Sequence, residues 1–163
     1  MPATETPTIP RFWVVGATVV LVAVTACGPE PDSPLSEDEA TERVEEHITQ
    51  TAEGALPNSI ELTPFYDTIT AGCEADPLVT VSQAYLLESS ENEDGEDNEA
   101  YVDAIVSYWE DNDYTIRTDN RPDDLFVNTR NNVDLFTMSV RDSSDDRLFL
   151  SASSPCLHPS GTD

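Results

Sequence analysis

The chain has 163 residues, of which 33 are acidic and seven basic, all seven of the latter arginine, for a net charge of −26. Binding to nucleic acid requires clustered cations, so this charge excludes it, and the length suits one domain with one core rather than a two-domain enzyme. The acidity itself reads first as a device for solubility or for salt-rich surroundings, where self-repulsion is screened over roughly 10 Å.

Phe12 to Ala26 is an uncharged, largely apolar run of 15 residues. That is short of the roughly 20 residues that span a bilayer but matches the core of an export signal. Arg11 and the amino terminus supply a thin positive region ahead of it, offset in part by Glu5. At its end, Val24-Thr25-Ala26-Cys27 resembles the lipobox of bacterial lipoproteins, with Val at the place more often held by Leu. The resemblance implies cleavage between Ala26 and Cys27, a diacylglyceryl group on the Cys27 sulfur, and a protein held on the extracytoplasmic face of the cell membrane. A pair of acyl chains anchors a protein stably where a single chain does not.

On this reading residues 1–26 are a signal peptide, 27–35 a lipidated cysteine with a proline-rich tether, and 36–163 one exported α+β domain. Gly28-Pro29-Glu30-Pro31-Asp32-Ser33-Pro34 favours an extended chain that reaches about 20 Å at about 3.1 Å per residue. With Cys27 acylated, Cys73 and Cys156 form an even pair in an oxidising compartment, which predicts a disulfide. Their spacing is far from that of a zinc site, and His47 and His158 are the only histidines, so no metal or cofactor is expected.

Ser36-Glu37-Asp38-Glu39 has the form of a capping box and predicts a helix, with Ala40, Val44, Ile48 and Ala52 on its apolar stripe and Gly54 as its stop. His47 lies at the edge of that stripe and reads as a packed or surface histidine rather than a catalytic one. Ser59 to Pro64 is a short strand candidate that Pro64 limits or confines to a sheet edge, and Leu78 to Leu87 is a longer one. Residues 88–99 hold seven acids in twelve positions. Aligned on Gly95, this segment fails as an EF-hand, because Ser90 and Tyr101 stand where the first and last ligands belong. It reads as a solvated loop.

Tyr101, Ala104, Ile105, Tyr108 and Trp109 follow helical spacing, so a second helix is expected over about Glu99 to Asp111 with Asn98 as cap. Tyr101, Tyr108 and Trp109 are candidates to line a ligand pocket, against the plainer reading as core. Four strands follow, over Tyr114–Thr118, Leu125–Thr129, Val133–Val140 and Arg147–Ser153, separated by turn signals at Asn131-Asn132 and at Ser143 to Asp146. The expected fold is a two-layer sandwich, an antiparallel β meander packed against two helices in the order αββαββββ.

The helix ending at Tyr108-Trp109, the strands after it and the closing Ser153-Ser154-Pro155-Cys156 resemble small exported lipoproteins of actinobacteria. The likeness covers roughly residues 99–158 and brings no catalytic residues with it. No nucleophile elbow, phosphate-binding glycine loop or His-Glu-x-x-His occurs. The expectation is a non-catalytic binding or interaction module of the cell envelope, partnered by an envelope protein or a small ligand. The alternatives are a small cell-envelope hydrolase and an acidic surface protein without a discrete ligand.

Overall fold

Ser36 starts the first helix as its surroundings require. Its hydroxyl accepts from the Glu39 N–H at 3.4 Å while the Glu39 carboxylate accepts from the Ser36 N–H at 2.9 Å, which satisfies two helix-end donors at once. The structure, a computed structural model, describes residues 33–56, 60–89 and 97–160. Eight elements follow in the expected order: α1 (Glu37–Ala55), β1 (Ile60–Gly72), β2 (Val79–Ser89), α2 (Asn98–Asp111), β3 (Tyr114–Asp119), β4 (Val127–Asn131), β5 (Thr137–Asp142) and β6 (Leu148–Ser153). Cys27, Ala26 and most of the acidic segment 88–99 lie outside the described residues.

The six strands form one antiparallel sheet in the order β1-β2-β6-β5-β4-β3. It is therefore built from a β1–β2 hairpin set beside a β3–β6 meander, and α2 carries the chain from one part to the far edge. Both helices cover the same face, α1 over the β1, β2 and β6 side and α2 over β3, β4 and β5. Alternation along the strands divides the residues. Met138, Val140, Leu148, Leu150 and Ala152 turn to the helices and are buried, together with Val44, Ile48, Val102, Ile105 and Trp109 from the helix layer. Each large apolar side chain enclosed in this way contributes roughly 1.5–3 kcal/mol.

Several boundaries differ from expectation, three of them here for identifiable reasons. Gly54 does not stop α1, which continues to Ala55; a Cβ at this position would meet Tyr108 Cε2 at 2.2 Å, so the glycine permits close approach of the two helices. Asn98 is not the cap of α2. Asp97 holds that position, and the Asn98 side chain is buried and donates to the Asp146 carbonyl at 2.8 Å. Of the two expectations for Pro64 the edge placement holds: it does not limit the first strand, which runs to Gly72 at the sheet edge, where a missing N–H costs the sheet nothing on its open side.

Cys73 and Cys156 are joined, with Cα atoms 6.3 Å apart, so the segment before β2 is tied to the end of β6. Around the bridge, Ser33 N–H donates to the Cys156 carbonyl at 3.2 Å, and Val79 and Leu157 exchange backbone hydrogen bonds at 2.9 Å. The chain thus enters the domain beside the disulfide. The crosslink closes a loop with a sequence separation of 83 residues. Replacing both cysteines by serine is expected to lower the unfolding free energy in urea by about 4 kcal/mol while leaving the far-ultraviolet circular dichroism of the folded protein unchanged.

Candidate functional site

The face of the sheet turned away from the helices is built in rows by the antiparallel register. Asn128, Ser139, Ser151 and Ala84 form one row across β4, β5, β6 and β2. Arg141, Phe149, Leu86 and Thr63 form the next, across β5, β6, β2 and β1. Serine hydroxyls pair along this floor, Ser139 with Ser151 at 2.7 Å and Ser82 with Ser153 at 2.8 Å.

A bulge supplies the wall. The β1–β2 register shifts between Pro64 and Tyr66, so Phe65 is an extra residue, and the locally bent strand brings both Phe65 and Tyr66 to the same groove. Phe65 is 51% exposed and Tyr66 36%. The Phe65 ring meets Phe149 edge to face, with centroids 4.7 Å apart, a preferred aromatic geometry. Phe126 and Arg141 complete the lining of a cavity of about 220 Å³, whose floor is Ala84, Ser139, Ser151 and Phe149. Arg147 lies over the Phe149 ring at 5.6 Å and is itself held by Asp145 at 2.7 Å.

A second cluster lies on the opposite, helix-covered side. Asn131, at the end of β4, accepts through its side-chain oxygen from the N–H groups of Val133 (2.8 Å) and Asp134 (3.2 Å), and Leu135 follows with φ 68°. This turn is why the expected strand over Val133–Val140 begins only at Thr137. It turns the Asp134 carboxylate onto His47 Nε2 at 2.9 Å, while His47 Nδ1 lies 2.6 Å from the Tyr114 hydroxyl. Phe136 covers the imidazole, with centroids 5.1 Å apart. A carboxylate only accepts, so Nε2 carries a hydrogen; the phenol then donates to Nδ1 of the neutral ring or accepts from the doubly protonated one.

Burial raises both partners of His47, but the net outcomes differ. It pushes the Tyr114 phenol up to about 12, with a hydrogen bond to Asn131 pulling the other way. Burial also raises the Asp134 carboxyl, but the His47 hydrogen bond and the charges of His47 and Arg43 together outweigh it and hold the group below its ordinary 3.8. Both ring nitrogens are engaged and His47 is 6% exposed, which fits a satisfied polar link between α1, β3 and the β4–β5 turn.

Among the described residues, the aromatics singled out on α2 each engage a different partner. Trp109 is fully buried and donates its indole N–H to Thr51 Oγ1 at 3.2 Å; Tyr101 donates to Ser89 Oγ at 3.1 Å, and Tyr108 packs against Gly54. The plainer reading as core holds for Trp109. Phe65, Tyr66, Phe126, Arg141 and Phe149 were not singled out by sequence reasoning, although the alternation of β6 already turns Phe149 away from the core-facing Leu148 and Leu150. Among the described residues no group of three or more His, Cys, Asp or Glu side chains is arranged to hold a metal ion, and no helix is long and apolar enough to cross a membrane. No family model, curated protein or solved structure matches this chain.

Two titrations test the His47 cluster. A carboxyl held low in the folded state contributes stability that is complete above its unfolded value near 3.8 and is lost as pH falls through the folded value. Asp134→Asn is therefore expected to cost about 1–2 kcal/mol at pH 7 and to remove part of the acid sensitivity seen in urea melts below pH 4. The raised phenol has the opposite window, with stability complete below pH 10 and declining towards about 12. In an absorbance titration at alkaline pH, Tyr114→Phe is expected to abolish the latest-ionising tyrosine.

Proposed function

We propose that this chain is a lipid-anchored extracytoplasmic binding protein of the cell envelope, without catalytic activity, whose binding site is the open face of the sheet. The observation that carries the binding reading is the groove where the exposed rings of Phe65 and Tyr66 stand over a floor of the buried Phe149 and the serine hydroxyls. Pockets that hold small molecules combine apolar walls with a few convergent polar groups in this way. Phe65 covers Phe149 with one edge of its ring and leaves the rest open beside Tyr66, and exposed apolar patches mark interaction surfaces.

The anchoring half of the proposal rests on the lipobox-like Val24-Thr25-Ala26-Cys27 and gains support from the disulfide, which fits an oxidising compartment. From Cys27 to Ser33 is a reach of at most about 20 Å. Ser33 pairs beside Cys156, so on this proposal the tether would join the domain at its disulfide end. A hydrolase would need a reactive group open to substrate. The His47–Asp134 pair is the nearest approach, and Tyr114 and Phe136 enclose it.

Mass spectrometry of the protein from the membrane fraction tests the anchor. The expected species begins at Cys27 and carries a diacylglyceryl thioether; an unmodified Cys27, or a chain still beginning at Met1, overturns it. For the site, a ligand-observed magnetic resonance screen of small polar aromatics is expected to give hits that compete with one another and vanish with the Phe65→Ser/Tyr66→Ser variant. Hits indifferent to that variant would remove the open face as the binding site.

A further inference from the structure

We propose that the groove takes a small organic monoanion, a carboxylate carried on a flat apolar body, with the carboxylate on Arg141 and the body between Phe65, Tyr66 and Phe149. The proposal rests on the reading of the open face as the binding site. Its ground is charge. The chain carries a net charge of −26, yet none of the eight residues lining the groove is acidic and one is arginine.

That arginine is uncommitted. Arg43, Arg121 and Arg147 each meet a carboxylate: Arg43 that of Glu46 at 2.8 Å, Arg121 that of Asp119 at 2.6 Å, and Arg147 that of Asp145 at 2.7 Å. Arg117 and Arg130 meet none among the described residues, but neither lines the groove. Arg141 is exposed and, among the described residues, has no carboxylate within ion-pair distance. Its planar fork of donors suits a carboxylate in two-point contact. In register beside it is Phe149, whose ring continues into Phe65, so the cation and the aromatic wall meet in one groove.

The serine pair adds a neutral donor. Ser139 and Ser151 share one hydrogen between their oxygens at 2.7 Å, and the other is directed only weakly to the Ser139 carbonyl at 3.5 Å, which leaves it available to an acceptor in the groove. One guanidinium and one hydroxyl satisfy a single carboxylate. A doubly charged group would find one cation and, around it, a field that repels each further negative charge. The cavity of about 220 Å³ takes one ring-sized group.

The test uses the mature-length protein and two probes that differ only in charge, N-acetyl-L-phenylalanine and its neutral amide, with backbone and arginine side-chain shifts followed by magnetic resonance. The acid is expected to shift Arg141, Phe149 and Ser151 signals and to bind at least tenfold more tightly than the amide. Arg141→Gln is expected to erase that difference, Arg141→Lys to restore it in part, and 0.5 M salt to weaken the acid alone. Because Arg141 is exposed, an unchanged ligand-free spectrum checks that the variants remain folded. An acetylated peptide ending in Phe separates the two sources of such a group: tighter binding than the free acid assigns the groove to a chain terminus, equal binding to a free acid. Acid and amide binding equally and independently of Arg141 overturns the anion assignment and leaves the binding face standing. Shifts by neither probe on this face overturn both.

Discussion

Trp109 is enclosed between α1 and the sheet, and its indole N–H has to find an acceptor there. Thr51 on α1 provides it, so one hydrogen bond at 3.2 Å joins the two helices in the middle of the core. Gly54, one turn further along α1, lets Tyr108 come close enough for that contact. An indole without its acceptor would cost about 1–3 kcal/mol, so the helix pairing and the enclosure of the ring stand or fall together. With both helices committed to one face of the sheet, the other face is left to solvent and to whatever binds it.

This one-sidedness also sorts the charges. The outer side of α1 is densely acidic, with Glu37, Asp38, Glu42, Glu45, Glu46 and Glu53 off its buried stripe. On the open face Glu61 pairs across from Glu88 at one corner and Asp145 holds Arg147 beside Phe149, while Arg130 and Arg141 stand on rows with no acidic residue in register among the described strands. A strongly acidic molecule thereby keeps one surface where an anion meets less repulsion. Net charge alone describes solubility and partners at a distance; its distribution over two faces of a sheet describes what can dock.

The His47 cluster fills a different need. Packing α1 and α2 side by side over the sheet buries a histidine, a phenol and part of a carboxylate, and each polar group must be paired. The turn after Asn131 meets that demand by bringing Asp134 under His47, and Tyr114 from the edge strand closes the other nitrogen. The same arrangement of an acid, an imidazole and a hydroxyl serves catalysis in other proteins only when the hydroxyl is open to substrate. Here the hydroxyl is turned inward and its ionisation is disfavoured.

Local physics left clear marks in the chain. The capping box at Ser36, the four-residue period of α1, the aromatic spacing of α2 and the alternation of the later strands made the order αββαββββ legible, because each depends on residues within a turn or two of one another. The pairing of Cys73 with Cys156 was legible from cysteine arithmetic on the expectation that Cys27 carries lipid. The groove was not. Its existence depends on β2 lying beside β6, on a register that aligns Arg141 with Phe149, and on a bulge at Phe65, all of which join residues far apart in sequence. The sequence by itself determined which segments become helices and strands and how much negative charge the molecule carries. Only the tertiary structure decided which side of the sheet stays open and which side chains meet there, because strand order and register are settled by long-range pairing and burial rather than by any local preference.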